Sequence, residues 1–223
     1  MTEKILSGRI AIITGANQGL GREISKSYVT AGANVMLCAR NYDLLEKVEL
    51  ELNPLLGENQ KIFIKKCDVT NENEVNALVH DTLDKLGGCQ ILVNNAGIYG
   101  PKGAIEDQDW DEWKKAIEIN VFGSVLMCRA LIPHFKRQNY GKIIQLSGGG
   151  ATKPLPNLSV YATSKAAIVR FADTLAEEVR SFGIDVNAIA PGALNTNMLQ
   201  EVLDSGPDKV GKDFYENALK QKN

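Results

Sequence analysis

The stretch Thr14-Gly15-Ala16-Asn17-Gln18-Gly19-Leu20-Gly21-Arg22 follows a short apolar run and opens a helical pattern. Glycines here allow a tight strand-to-helix turn and let backbone approach a pyrophosphate closely. The helix N-terminus then offers free N–H groups and the positive end of its dipole to that anion. The spacing G-x-x-x-G-x-G differs from the best-known dinucleotide fingerprint, G-x-G-x-x-G. An ordinary turn would also explain the glycines, but their position after the first strand favours nucleotide binding.

Six short apolar runs alternate with longer amphipathic stretches along the chain. They cover residues 9–14, 34–39, 61–66, 91–94, 142–147 and 185–190. Most lack strict polar–apolar alternation, which predicts strands buried on both faces. The alternation of strands and helices predicts an α/β fold, a doubly wound parallel sheet of about six strands with helices on both faces. A ligand is expected at the carboxyl ends of the strands.

Composition narrows the class of protein further. The 223 residues are 44% hydrophobic and 23% charged, which fits one globular domain over residues 1–223. A net charge of −2 predicts no nucleic-acid partner. No apolar run approaches the roughly 20 residues of a membrane span, and the N-terminus lacks a signal-peptide core, so we expect a cytoplasmic protein without a membrane partner. Two histidines and four scattered cysteines predict no metal site and reduced thiols.

A tyrosine and a lysine stand four residues apart in a helical pattern, at Tyr161 and Lys165. They should share one helix face. A nearby cation favours the phenolate, so we expect Lys165 to lower the pKa of Tyr161 from about 10. Such a tyrosine could donate or accept a proton at a substrate oxygen. A hydrolase would need a nucleophile paired with a histidine, and no G-x-S-x-G lies near His134.

Taken in order, these residues resemble the short-chain dehydrogenase/reductase family. Its motifs match Thr14 through Gly21, Asn94-Asn95-Ala96-Gly97, Asn120, Ser147, Tyr161 and Lys165 in Y-x-x-x-K, and Pro191-Gly192. The resemblance runs from about residue 7 to residue 198. It implies a Rossmann-type sheet with strand order 3-2-1-4-5-6-7 and hydride transfer between a nicotinamide cofactor and an alcohol or ketone. Most family members end with a seventh strand, for which we find no candidate before residue 223.

The resemblance also implies the catalytic residues. Tyr161 would be the proton donor or acceptor, assisted by Lys165, and Asn120 would support a water chain leading to Lys165. The family's serine normally stands thirteen residues before the tyrosine, where this chain has Gly148. Ser147, one residue earlier, is the candidate in its place. Either the glycine run lets Ser147 reach the carbonyl, or the site lacks its usual hydroxyl.

The end of the second strand bears on the choice of cofactor. No acidic residue stands there to bind a ribose 2′-hydroxyl, whereas Arg40 offers a guanidinium suited to a 2′-phosphate. We therefore expect NADP(H) rather than NAD(H). The cofactor-binding residues implied are Gly15, Asn17, Gln18, Gly19, Leu20, Gly21, Arg40, Asp68, Val69, Asn94, Ala96, Gly97, Tyr161, Lys165, Pro191, Gly192 and Thr196.

The leading hypothesis is an NADP(H)-dependent oxidoreductase acting on a small carbonyl or alcohol substrate. A 3-oxoacyl compound and a polyhydroxylated one are both open as substrates. The alternative is a non-catalytic NADP-binding sensor or scaffold on the same fold. Residues 195–223 are predicted to form a lid over the substrate. Two long helices, predicted at 119–138 and 159–182, carry extra apolar faces. We expect a homodimer or homotetramer and favour a dimer through these helices.

Overall fold

The computed structural model describes residues 4–192 and 194–222. The strands of this part are β1 (Ile10–Thr14), β2 (Asn34–Ala39), β3 (Ile62–Lys66), β4 (Ile91–Asn94), β5 (Gly141–Leu146) and β6 (Ile184–Ile189). The α-helices are α1 (Gly19–Thr30), α2 (Tyr42–Leu52), α3 (Glu72–Leu86), α4 (Trp110–Ile117), α5 (Gly123–Gln138), α6 (Ser159–Val179), α7 (Asn197–Ser205), α8 (Pro207–Val210) and α9 (Lys212–Lys222).

The strands form one parallel sheet in the order β3-β2-β1-β4-β5-β6. Ile12 of β1 pairs with Met36 of β2 on one side and Leu92 of β4 on the other. The order reverses direction between β1 and β4, which opens a crevice at the carboxyl ends of these two strands. The predicted doubly wound, Rossmann-like fold is confirmed, and every predicted strand agrees with the structure to within one residue at each end.

Hydrophobic cores lie on both faces of the sheet because neighbouring residues of a strand point to opposite sides. Ile12 belongs to the core that includes Phe135 of α5, whereas Ile13 belongs to the core that includes Leu45 of α2. All four side chains are fully buried. Burial on both faces explains why the strands read as nearly continuous apolar runs.

A continuous helix runs from residue 110 to 138, longer than the predicted 119–138. It consists of α4, a π turn over Glu118–Phe122 and α5. An 18-residue window of it has a mean hydropathy of 1.4, enough for a membrane span by composition, as is also true of many core helices. Met127 and Leu131 of α5 are fully buried against the sheet. The π turn shifts the helix register at Asn120.

Helices α7, α8 and α9 pack on one another in the segment predicted as a lid. Their buried side chains, Leu199, Val202, Val210 and Ala218, form a small cluster separate from the two main cores. The ring of Tyr99, in the loop after β4, packs against this cluster. The lid segment therefore contacts the carboxyl edge of the sheet through Tyr99.

Candidate active site

The glycine loop after β1 is a cradle that side chains would fill. Gly15 has a φ of +63°, and a Cβ there would lie 3.0 Å from Cα of Ala96. A Cβ on Gly21 would lie 2.2 Å from the Gly15 carbonyl oxygen. Gln18 precedes α1 without a side-chain cap, and the first turn carries no acidic residue. The first amides of α1 are therefore open to an anion, and the loop fits the pyrophosphate of a dinucleotide.

Thr14 and Asn95 hold this loop to the end of β4. The Thr14 hydroxyl accepts hydrogen bonds from the amides of Asn95 and Ala96, each at 3.0 Å. The Asn95 side-chain amide donates to the Thr14 carbonyl at 2.9 Å and to the Gly15 carbonyl at 3.2 Å. Neither Thr14 nor Asn95 has a predicted role of its own. The pair Asn94-Asn95 was the sequence feature that could have indicated this contact. Neighbouring residues of a strand point to opposite faces, so one of the two side chains had to face away from α5.

Asn94 is the member of that pair whose side chain faces α5. Its side-chain amide donates to the Ser124 carbonyl at 3.3 Å and to the Cys128 sulfur at 3.5 Å. It is buried on the α5 side of the sheet. The Asn94 side chain therefore anchors α5 to β4, so Asn94 can offer a cofactor only its backbone, and its role in cofactor binding stays a prediction.

Val69 and Leu20, also predicted to bind cofactor, turn their side chains into the protein. A Cβ on Gly123 of α5 would lie 2.6 Å from a methyl carbon of Val69, which is buried in the same core as Cys128. Leu20 packs against the core on the α2 side. These two residues can offer a ligand only their backbone. Asn17, at the tip of the glycine loop, is half-buried.

The remaining predicted cofactor residues follow the carboxyl ends of several strands. Arg40 directly follows β2 and is exposed, and no ion pair in residues 4–192 or 194–222 uses its guanidinium. Asp68 follows β3, where it accepts hydrogen bonds from the Thr70 amide at 3.0 Å and the Thr70 hydroxyl at 2.8 Å. Pro191 and Gly192 follow β6 and are exposed.

The start of the lid meets the glycine loop directly. A Cβ on Gly19 would lie 3.6 Å from the Thr196 side chain. The Asn197 side-chain amide donates to the Gln18 side-chain oxygen at 2.9 Å. The structure thus brings the predicted residues of the glycine loop together with Thr196.

Tyr161 and Lys165 lie in the first two turns of α6, against the end of β5. The Lys165 ammonium sits 5.5 Å from the centre of the Tyr161 ring and donates to the Leu146 carbonyl at 2.7 Å. Burial lowers the pKa of Lys165 to about 8. Burial also raises the pKa of Tyr161 above its usual value, the opposite of the predicted lowering. Desolvation of the phenolate therefore outweighs the attraction of the ammonium at this distance.

Asn120 lies in the π turn, and its side chain makes direct hydrogen bonds to Ile98 and Ser164. Its side-chain oxygen accepts from the Ile98 amide and its side-chain amide donates to the Ile98 carbonyl, each at 2.8 Å. The same amide donates to the Ser164 hydroxyl at 2.9 Å. No direct hydrogen bond joins Asn120 to Lys165 in the part of the chain that the structure describes, and the water chain between them stays a prediction. Asn120 and Lys165 instead flank Gly97, whose Cβ would lie 3.2 Å and 3.6 Å from their polar atoms.

The positions of Ser147 and Gly148 bear on two alternatives that the sequence leaves open. Either the Ser147 hydroxyl reaches the substrate carbonyl, or the site lacks its usual hydroxyl. The Ser147 hydroxyl is buried and donates to the Lys165 carbonyl at 3.2 Å, so it is turned toward the backbone of α6. A Cβ on Gly148 would lie 2.7 Å from the Tyr161 hydroxyl oxygen. Position 148 therefore faces Tyr161 and carries no side chain. The structure does not bring the Ser147 hydroxyl to that of Tyr161, and it agrees with a site that lacks the usual hydroxyl.

Known proteins resemble this chain in sequence and in fold. The family described as short chain dehydrogenase matches residues 9–206. A 7alpha-hydroxysteroid dehydrogenase of Escherichia coli (strain K12) is 37% identical over 198 residues, which cover 89% of this chain and 76% of that protein. A structure of NAD+-bound xylitol dehydrogenase superposes with a TM-score of 0.86 at 28% identity, covering 92% of this chain and 78% of the other. A metagenomic short-chain oxidoreductase in complex with NADP gives 0.78 at 30% identity, covering 85% and 84%.

Proposed function

Because the chain belongs to the short chain dehydrogenase family of oxidoreductases, we propose that it interconverts a ketone and an alcohol with NADP(H) as cofactor. One observation carries this proposal. The Tyr161 hydroxyl lies at the carboxyl edge of the sheet, beside the buried Lys165 ammonium and bare Gly148, on the edge that carries the glycine loop. A proton donor and a pyrophosphate cradle on one edge of the sheet suit hydride transfer coupled to proton transfer.

The chemistry of the site divides between cofactor and protein. The nicotinamide, when bound, supplies or accepts the hydride. Tyr161 gives its proton to the substrate oxygen during reduction and takes it back during oxidation. Its raised pKa keeps it protonated at neutral pH, which suits the reductive direction. The charge of Lys165, present below its pKa of about 8, stabilises the phenolate left after the proton is given.

Preference for NADP(H) rests on Arg40. Its guanidinium is exposed directly after β2, where a ribose 2′-phosphate would give it a bidentate, charge-assisted partner. Arg40→Ala should lower the ratio of kcat/KM for NADPH over NADH by about tenfold, the equivalent of one lost surface phosphate contact. Arg137→Ala, an exposed arginine in the last turn of α5, is the control. A wild-type preference for NADH would refute the cofactor assignment.

The activity itself is tested by following NADPH oxidation with four carbonyl compounds. Ethyl acetoacetate represents 3-oxoacyl substrates, a ketopentose represents polyhydroxylated ones, and cyclohexanone and 2,3-butanedione represent simple ketones. Tyr161→Phe should lower kcat by about 10²–10⁴-fold, the usual contribution of a general acid. Tyr140→Phe, at a half-buried tyrosine before β5, should leave kcat unchanged. Turnover that survives Tyr161→Phe would refute the assigned role of Tyr161.

The second candidate function is a non-catalytic NADP-binding sensor or scaffold. Bare Gly148 and the turned-away Ser147 hydroxyl favour it, because they leave the Tyr161 hydroxyl without a second donor on β5. Intact Tyr161 and Lys165 argue against it. NADPH binding without oxidation of NADPH by any carbonyl of the panel would favour the sensor over the enzyme.

A homo-oligomer in the cytoplasm is part of the same proposal. Phe122, between α4 and α5, is 55% exposed and lines a groove of about 530 Å³ with Val125 and Leu126. Apolar surface of this kind on a long helix suits a contact between subunits. The four cysteines are buried free thiols, which suits a reducing compartment. Light scattering of the purified protein should give a dimer, and a monomer would refute the oligomer.

A further inference from the structure

The Tyr161 hydroxyl faces bare backbone on its β5 side. A Cβ on Gly148 would lie 2.7 Å from that oxygen and 3.4 Å from the ring carbon that bears it. Any side chain at 148 would therefore displace the Tyr161 hydroxyl. The Ser147 hydroxyl is buried and donates to the Lys165 carbonyl of α6. Strand β5 thus supplies no side-chain donor to a substrate oxygen at Tyr161.

A second phenol lies on the other side of Tyr161. The ring centres of Tyr99 and Tyr161 are 4.6 Å apart, with a tilt of 51° between the planes. Tyr99 belongs to the loop that follows β4, at the same edge of the sheet as the glycine loop. No hydrogen bond within residues 4–192 and 194–222 uses its hydroxyl, so the donor is free for a ligand.

Three neighbours fix the position of the Tyr99 ring. The Tyr161 ring covers one part of it, and the Lys102 ammonium lies 5.6 Å from its centre. Lys102 in turn forms an ion pair with Glu201 of α7. The lid cluster of Leu199 and its neighbours packs against the ring as well. Tyr99 is therefore held between the reacting centre and the lid.

The chemistry of carbonyl reduction calls for a donor at this place. Hydride addition to the carbonyl carbon moves an electron pair onto the oxygen before or as Tyr161 delivers its proton. Preorganised donors aimed at that oxygen stabilise the developing charge. Burial and the charges of Tyr161 and Glu201 raise the pKa of Tyr99, which keeps its hydroxyl protonated. A protonated phenol can donate a hydrogen bond without losing its own proton.

We propose that Tyr99 is a second catalytic residue, whose hydroxyl donates a hydrogen bond to the substrate oxygen in place of the side chain absent at position 148. This inference rests on the proposed function, since it concerns the same carbonyl. Tyr99 keeps its proton throughout, so Tyr161 alone transfers one to the substrate. Because the Tyr99 ring also packs against the lid cluster, the lid helps to hold this donor in place.

The test compares Tyr99→Phe with Tyr215→Phe in the full chain, using the carbonyl of the panel that wild type reduces fastest. Both tyrosines pack against the lid cluster, and both substitutions remove only a hydroxyl. Loss of one donor to a developing oxyanion should lower kcat of Tyr99→Phe by about 100-fold. Its Kd for NADPH, from fluorescence titration, should stay within about twofold of wild type, because no hydrogen bond among the described residues joins the Tyr99 hydroxyl to the glycine loop. Tyr215→Phe should match wild type in both measurements.

Each contrary result has a separate meaning. A kcat for Tyr99→Phe within about threefold of wild type, with Tyr161→Phe inactive, would overturn the role of Tyr99 and leave the proposed function standing. Equal losses in Tyr99→Phe and Tyr215→Phe would assign the effect to lid packing and also overturn it. NADPH bound by wild type without oxidation by any panel carbonyl would overturn the proposed function together with this inference.

Discussion

Replacing Lys165 by methionine should change how the stability of the cofactor-free protein depends on pH. Lys165 is 7% exposed, and burial lowers its pKa from 10.5 to about 8. The folded protein therefore binds this proton less readily than the unfolded chain does. Between the two pKa values the unfolded chain holds more protons, so the free energy of unfolding rises with pH. The methionine variant lacks this contribution.

The size of the effect follows from the shift. Each pKa unit corresponds to about 1.4 kcal/mol, so the full difference is about 3 kcal/mol, of which about 2 falls between pH ~7 and pH ~9.5. Buried thiols oppose the trend, because the pKa values of Cys89 and Cys128 are raised to about 12 and stability then falls as the unfolded thiols ionise. Wild type and variant share these thiols. Their effect cancels in the difference between the two proteins.

Urea unfolding of both proteins at the two pH values measures this difference. At about pH 7 the buried, charged ammonium of Lys165 lowers the free energy of unfolding of the wild-type protein. Lys165→Met should therefore be more stable relative to wild type at this pH. Loss of the hydrogen bond to the Leu146 carbonyl reduces that gain. That relative gain should shrink by about 2 kcal/mol at pH ~9.5. Lys209→Met, at an exposed lysine, is the control. A difference between Lys165→Met and wild type that stays constant with pH would refute the depressed pKa.

Three further substitutions test the site and the core. Gly148→Ala should lower kcat by about 100-fold, because its Cβ displaces the Tyr161 hydroxyl; an unchanged kcat would contradict the geometry. Gly21→Ala should weaken NADPH binding about tenfold in a fluorescence titration, because its Cβ would clash with the Gly15 carbonyl. A Kd equal to that of wild type would show that the loop rearranges to accommodate the Cβ. Phe135→Ala should cost about 3–5 kcal/mol in urea unfolding, and a cost below about 1 would mean that the core collapses around it.

The strands could be predicted because burial on both faces requires nearly continuous runs of apolar residues, which are visible in the sequence. Residues 34–39 and 91–94 begin and end as predicted. The strand ending at Leu146 was predicted one residue too late, since a serine following an apolar run reads as its continuation. The π turn at Asn120 was not predictable, because a helix with one extra residue in a turn keeps the apolar spacing of an ordinary helix over so short a range.

The parts of the candidate site that backbone atoms form could be predicted from the sequence. The direction in which a particular side chain points could not. The glycine loop needed only its spacing. The directions of the Asn94 and Ser147 side chains could not be predicted, because one residue along a strand decides the face and motif order does not fix that parity. Tyr99 belongs to no motif, so only the packing of its ring on Tyr161 reveals it.

The separate cluster beneath α7, α8 and α9 has a consequence for local unfolding of the protein. Four buried side chains hold these helices together, whereas the sheet is held by two far larger cores. So small a unit can unfold while the sheet stays intact. Amide hydrogens of α7 to α9 should then exchange with solvent through local opening. Their exchange rates should not depend on the global stability of the protein. Substitutions in this cluster would tune how fast ligands enter and leave while global stability stays fixed.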